Sequence, residues 1–193
     1  RTRWWKKSVR NYYSAYSLVD DQLGRVWNAL KASRFADNTI VVIVADHGFH
    51  LGNKDRLEKS SLWEQVANIP LIIHLPERPQ GQTVLDPVST IDIGPTILDL
   101  LDLGKIESSV GQSLRPYVEG KKLAPRTIPT FFWQNASIRK GNYRLIRYND
   151  GTTQLYNLEN DFWQLHDLGE NHPDHATLHN DLIQTSREWG MTI

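Results

Sequence analysis

The sequence contains no cysteine, a single methionine and no long apolar run. Without cysteine the chain can form neither disulfides nor thiolate metal sites, and it has no cysteine nucleophile. No apolar stretch approaches the ~20 residues that a membrane-spanning helix needs. Neither sign of charge is in excess, since 22 basic residues balance 22 acidic ones. The composition therefore gives no reason to expect a nucleic-acid or anionic-membrane partner.

The start of the chain also lacks two expected features, an initiating Met and the pattern of a signal peptide. Its first residues run almost directly into a helical pattern. We therefore expect that residue 1 is not the natural start of the protein, and that a secretion signal belongs to the missing part if there is one. At 193 residues the chain is long enough to bury one sizeable core with a small satellite domain.

The first part of the sequence alternates between helical and strand patterns. The spacing predicts a helix from Tyr12 to Ala32 with one apolar face, formed by Tyr12, Tyr16, Val19, Leu23, Val26 and Leu30. The segment Thr39 to Val44 is nearly all β-branched, which is typical of a strand buried on both faces in a parallel sheet. Further elements are predicted at Ser60 to Val66 (helix), Ile69 to Leu75 (strand) and Ile93 to Leu101 (helix).

After about residue 126 the pattern changes to short strands. Three are predicted, at Thr130 to Trp133, Tyr143 to Tyr148 and Thr152 to Tyr156, with a tight turn at Asn149-Asp150-Gly151 and a final helix from His175 to Trp189. The expected fold class is α/β. Residues 1–125 would form part of a mostly parallel sheet with flanking helices, and residues 126–193 a small antiparallel sheet with one helix.

Several segments, in order, resemble one known family. The segment Val44 to Gly52, which contains Asp46-His47-Gly48, is similar to the sulfatases of the alkaline-phosphatase-like superfamily, and most to the iduronate-2-sulfatase and choline-sulfatase branch. The resemblance covers nearly the whole chain, since further blocks match at Tyr12–Ala15, Val19–Val26, Leu57–Glu64, Ile69–Ile73, Val88–Leu98, Tyr143–Ile146 and Leu155–Asp161. One departure is Phe162, where the family usually has a proline in a turn.

The resemblance implies a sulfuric ester hydrolase that uses a divalent metal and a formylglycine nucleophile. The nucleophile forms in a Cys/Ser-x-Pro-x-Arg motif of the family's N-terminal half, and this sequence contains no such motif. The chain is thus expected to be the C-terminal portion, inactive alone, with the missing N-terminal half as its partner. By the resemblance Asp46 and His47 bind Ca²⁺ (or Mg²⁺) and Lys59 binds the sulfate, while His50 lines the pocket or protonates the leaving group.

The residues themselves support part of this chemistry. Asp46 follows a predicted strand, and the carboxyl ends of strands are where open α/β sheets bind ligands. A carboxylate suits Ca²⁺ or Mg²⁺, whereas the imidazole of His47 is a less natural ligand for calcium. The structural alternatives are that Asp46 caps a turn, that His47 packs against Gly48, and that Lys59 is a surface lysine. For His50 the packing alternative is preferred.

Other polar groups are given structural roles. Lys54, Asp55 and Arg56 are interpreted as a solvated loop rather than an anion contact, and Asp92 as a helix N-cap. The triplet Asn135-Ala136-Ser137 fits a glycosylation acceptor, a pattern common by chance. The aromatic cluster, which consists of Phe131, Phe132, Trp133, Tyr143 and Tyr148, is interpreted as packing rather than a sugar platform.

Two other functions stay open. A phosphonate or phosphate ester hydrolase of the same superfamily would present a similar metal site to a similar tetrahedral anion. A non-catalytic module that keeps the fold would also lack the nucleophile. The substrate is expected to be a sulfate ester, with a sulfated carbohydrate as one candidate. The compartment is unknown from the residues, and is periplasmic, secreted or lysosomal by family analogy.

Overall fold

The computed structural model describes residues 2–78 and 81–193, with the side chain of Thr2 left aside. The chain divides into two compact units. One consists of Arg1–Ser61 with Gln65–Gln82, and the other of Leu62–Glu64 with Thr83–Ile193. Residues 83–125 thus belong to the same unit as the antiparallel sheet, whereas the sequence predicted a boundary at 125. The assignment of 1–125 to a catalytic domain stays a prediction.

The first unit contains one long helix and a pair of strands. Helix α1 spans Thr2–Lys31 and is followed by strand β1 (Val41–Val44), a 3-10 turn (Asn53–Asp55), helix α2 (Glu64–Ala67), whose first residue belongs to the other unit, and strand β2 (Leu71–His74). The predicted helix is confirmed but begins earlier, because no glycine or proline interrupts the residues before Tyr12. The indole N–H of Trp5 also donates to the Leu51 carbonyl at 2.9 Å, which holds this first part of α1. None of the described helices is both long and apolar enough to cross a membrane.

The apolar face predicted for α1 is covered only at its ends. Tyr12 stacks on Phe49 near one end, and Leu30 is half-buried at the other. Between them the face is exposed at Tyr16, Val19, Leu23 and Val26. Periodicity identifies such a face, but it does not tell which part of a protein covers it.

Strands β1 and β2 pair antiparallel, with Val41 opposite His74 and Val44 opposite Leu71. The expectation of a parallel arrangement is therefore wrong for this pair. An unbroken β-branched run indicates burial on both faces, but it carries no information about the direction of the neighbouring strand. The α/β fold class itself is confirmed.

The second unit is built around a four-stranded antiparallel sheet in sequential order. A 3-10 turn (Thr90–Asp92) leads into α3 (Ile93–Leu100), and the remaining elements are α4 (Arg115–Val118), β3 (Ile128–Phe132), β4 (Asn135–Lys140), β5 (Tyr143–Arg147), β6 (Thr153–Asn157) and α5 (His175–Glu188). The predicted final helix and three strands are confirmed. Strand β4 was missed because most of its side chains are polar, although its central residues Ala136, Ser137 and Ile138 are fully buried.

Both faces of this sheet bury apolar side chains. One face packs on α5 and forms a core of Ala136, Ile138, Leu145, Leu155, Leu178 and Leu182. The other face forms a smaller cluster of Leu62, Ile146, Tyr156 and Leu158. Leu62 comes from the short segment that follows Lys59 in the sequence, so this segment is part of the sheet's packing.

The structure shows the surroundings of three further features that were interpreted from the sequence. Asp92 is fully buried and occupies the N-cap position of α3, as predicted, but its carboxylate does not cap α3 and instead completes a capping box with Ser89 at the preceding 3-10 turn. Ser137 is fully buried and accepts a hydrogen bond from Arg144, so Asn135-Ala136-Ser137 lies in a strand and does not form an exposed glycosylation loop. Trp133 is 83% exposed, so its predicted packing role is wrong.

Candidate active site

The turn after β1 presents the Asp46 carboxylate to solvent. The backbone N–H of His47 donates to Asp46 Oδ1 at 3.0 Å, which fixes one carboxylate oxygen. The other oxygen, Oδ2, lies 3.4 Å from His47 Nε2. Because the side chain of Asp46 is 87% exposed, this oxygen is accessible to a cation or a ligand.

The His47 ring is held in one orientation by the backbone of the same turn. Its Nδ1 lies 2.8 Å from the carbonyl oxygen of Gly48, and since a carbonyl can only accept, Nδ1 carries the proton. In the neutral imidazole Nε2 then carries the lone pair. Gly48 is required here, because a Cβ at this position would lie 2.2 Å from the Gln65 carbonyl oxygen. The turn thus prepares an imidazole nitrogen that can accept a hydrogen bond or bind a metal.

The loop that follows His47 has two arms that run back along each other, and Lys59 at the end of the second arm returns to His47. Its Nζ lies 2.9 Å from His47 Nε2 and donates to it. Two backbone hydrogen bonds hold the arms together, from His50 N to the Glu58 carbonyl (2.9 Å) and from Gly52 N to the Arg56 carbonyl (2.8 Å). The structure therefore brings together Asp46, His47 and Lys59, three of the four residues that the sequence predicted for the site.

His50 lies in the same loop but has different surroundings. It is fully buried, and its Nε2 lies 2.7 Å from the Ser61 hydroxyl. Burial lowers the pKa of His50, which favours the neutral imidazole. Its role toward a leaving group stays a prediction, and these contacts favour the packing alternative. Sequence reasoning missed Ser61 as its partner, since the serine was interpreted only as part of a helix start.

The donors of this site fit part of a divalent-metal site. An exposed carboxylate oxygen and an imidazole lone pair 3.4 Å apart are compatible with two ligands on one cation. Ca²⁺ requires six to eight ligands. Residues 2–78 and 81–193 contain no group of three or more histidines and carboxylates placed to hold a metal.

Comparison with known proteins gives a consistent result. Residues 2–103 match the sequence model of the Sulfatase family. A sulfatase of Formosa agariphila is 36% identical over 159 residues, which are 81% of this chain and 31% of that protein. The chain thus spans about a third of the length of this relative.

Two solved structures are similar over most of the chain. One is BT4656 in complex with its substrate D-glucosamine-2-N,6-O-disulfate, with a TM-score of 0.69, 26% identity, and coverage of 89% of this chain and 38% of that one. The other is the phosphonate monoester hydrolase SpPMH from Silicibacter pomeroyi, with a TM-score of 0.71, 26% identity, and coverage of 88% and 38%.

Proposed function

Because the chain belongs to the sulfatase family, we propose that it is the C-terminal portion of an enzyme that hydrolyses sulfate esters. The observation that carries this proposal is the convergence of Asp46, His47 and Lys59 at one exposed point after β1. A carboxylate and an unprotonated imidazole nitrogen can bind a cation, and an ammonium group can bind a tetrahedral anion beside that cation.

The roles of the three residues follow from their chemistry. Asp46 Oδ2 and His47 Nε2 would hold a Ca²⁺ or Mg²⁺ ion, which supplies positive charge to the sulfate group. Lys59 would donate to a sulfate oxygen, since an ammonium is a compact cation with three donors. In the structure Lys59 donates to His47 Nε2 instead, and we propose that it exchanges this acceptor for the sulfate when substrate is bound. The formylglycine nucleophile is expected in the N-terminal half of the complete protein.

The exposed part of α1 is the proposed contact for that half. Tyr16, Val19, Leu23 and Val26 form one stripe, since steps of three and four residues return to the same helix face. The stripe continues an apolar face that the first unit already covers at both ends. Because the similar structures contain much more chain than this one, we propose the N-terminal half of the same protein as the occupant.

The main experiment supplies the complementary half and measures hydrolysis of 4-nitrophenyl sulfate. We expect no turnover by the chain alone and activity from the reconstituted enzyme. Asp46→Ala and Lys59→Ala should each lower kcat/KM by about 100-fold or more, typical for loss of one electrostatic contact to the transition state. Lys122→Ala, a change of another exposed lysine in the second unit, is the control. Activity that survives both site substitutions would contradict the proposed roles.

Association of the two halves tests the proposed contact separately. Val19→Asp and Leu23→Asp should weaken binding of the complementary half, because each puts a charge into an apolar interface. Leu18→Asp is the matched control, since Leu18 is also an exposed apolar residue of α1 but lies on another side of the helix. Equal effects of Leu18→Asp and Leu23→Asp would contradict the stripe as a binding surface.

Hydrolysis of phosphonate esters is the second candidate function. It is favoured by the similarity to SpPMH, whose TM-score is close to that of the sulfated-sugar complex. Both reactions place a tetrahedral anion against similar cationic groups. Comparison of kcat/KM for 4-nitrophenyl sulfate and 4-nitrophenyl phenylphosphonate on the reconstituted enzyme would distinguish them.

A further inference from the structure

Two histidines lie four residues apart at the start of α5, within the second unit. The rings of His175 and His179 are nearly parallel, with an interplanar angle of 11° and 6.2 Å between their centres. Both residues are partly buried. We propose that this pair binds one transition-metal ion of the Cu²⁺, Ni²⁺ or Zn²⁺ class, independently of the cation proposed at Asp46 and His47.

The spacing of the two rings suits a pair of ligands on one ion. Residues four apart are neighbours on one face of a helix, so both imidazoles extend from the same side of α5. With metal–nitrogen distances of about 2.1 Å, the ring centres of two imidazoles on one ion lie about 5–6.5 Å apart. The observed distance between His175 and His179 lies within this range, so the helix backbone already spaces the rings for a shared ion.

The tautomer of His175 is set by a chain of hydrogen bonds that ends at a carboxylate. The Thr153 hydroxyl donates to Glu170 Oε1 at 3.2 Å, since an ionised carboxylate can only accept. Because its proton is used in this way, the hydroxyl accepts from His175 Nε2, which lies 2.8 Å away. In the neutral imidazole Nδ1 then carries the lone pair. Metal-binding histidines usually donate their other N–H to a partner of this kind, which fixes the ring and raises its basicity as a ligand.

The surroundings of His179 favour the unprotonated imidazole, the form that binds metal. Burial lowers the pKa of His179, and the nearby His175 and Arg147 lower it further, while Glu170 raises it. The Glu170 carboxylate also offsets part of the positive charge that Arg147 and a bound ion place there.

The number and type of ligands determine which ions suit the pair. Two imidazole nitrogens suit Cu²⁺, Ni²⁺ and Zn²⁺, whereas Ca²⁺ and Mg²⁺ prefer oxygen ligands. The part of the chain that the structure describes forms no group of three or more such protein ligands. We therefore expect water to complete the coordination of the ion.

The test measures binding of Zn²⁺ to the purified chain by calorimetry at neutral pH, in excess Ca²⁺ to occupy oxygen-rich sites. His175→Gln and His179→Gln should each raise the Kd for Zn²⁺ by about tenfold or more, because a single imidazole remains. His166→Gln is the matched control, since this side chain of the same unit is 84% exposed, and it should change Kd by less than about twofold. His47→Gln, which removes the imidazole of the candidate active site, should leave this binding unchanged.

Thr153→Val tests the chain of hydrogen bonds behind His175. It should raise the Kd for Zn²⁺ by about tenfold, as is typical when the partner of a metal-binding histidine is lost. Thr177→Val, at an exposed threonine of α5, is its control. Far-UV circular dichroism shows whether each variant keeps its fold, and Cu²⁺ should bind more tightly than Zn²⁺. The proposal is overturned if Zn²⁺ does not bind, if His166→Gln weakens binding as much as His179→Gln, or if Ca²⁺ displaces Zn²⁺ from the folded chain.

Discussion

The buried ion pair between Arg144 and Glu64 gives the most direct test of how the second unit is stabilised. Arg144 Nε donates to Glu64 Oε2 at 2.7 Å, and both side chains are less than a tenth exposed. The same guanidinium donates to the Ser137 hydroxyl at 2.9 Å and to the Leu62 carbonyl at 3.3 Å. Removing Arg144 therefore leaves one buried carboxylate and two buried acceptors without this donor.

Arg144→Met keeps much of the side-chain volume and removes the charge. Breaking a buried pair in this way typically costs 3–5 kcal/mol. A second guanidinium, that of Arg139, lies 3.8 Å from Glu64 and offsets part of the loss, so we expect about 3 kcal/mol, the lower end. Burial lowers the pKa of Arg139, while the nearby Glu64 carboxylate partly opposes this.

Urea unfolding followed by near-UV circular dichroism measures this change. With an m value of about 2 kcal/mol/M, the midpoint should fall by about 1.5 M. The double variant Glu64→Leu with Arg144→Met should recover part of the stability, because it no longer leaves a buried carboxylate without Arg144, although Arg139 loses its ion pair with Glu64. A fall of less than about 0.5 M, or a double variant as unstable as Arg144→Met, would refute the reasoning.

Two further predictions concern His179 in α5 and Gly48 in the turn of the candidate site. Burial lowers the pKa of His179, and the charges of the nearby His175 and Arg147 lower it further. Glu170 raises this pKa but only partly opposes the decrease. The unfolded chain then takes up a proton first as the pH falls below about 6.5, so thermal stability should decrease from pH 7 to pH 5. His179→Gln should flatten this dependence, and an equal slope in the variant would show that His179 does not contribute. Gly48→Ala should lower the unfolding midpoint and disturb the contact between His47 and Lys59, because the new Cβ would overlap the Gln65 carbonyl. Gly24→Ala, in the open middle of α1, is the control and should be neutral or slightly stabilising; similar losses from both substitutions would contradict this account.

The sequence was informative wherever a local pattern is enough to fix a local structure. The helices that contain Leu23 and Leu182 follow from their apolar spacing, and the turn at Asn149-Asp150-Gly151 from its residue types. The position of Asp46 at the end of an apolar strand was also predicted, because a strand of hydrocarbon side chains ends where charge begins. Strand β4 was not predicted, because most of its side chains are polar, and the burial of its central residues depends on partners that lie elsewhere in the sequence.

What the sequence determined by itself was most of the helices and strands, the family and the residue types available for chemistry. Only the tertiary structure decided that β2 runs antiparallel to β1, that Trp133 is exposed, and that Lys59 meets the unprotonated nitrogen of His47. The physical reason is that periodicity and propensity act between near neighbours. Strand direction, burial and the protonation of an imidazole depend on groups that are brought together only when the chain folds.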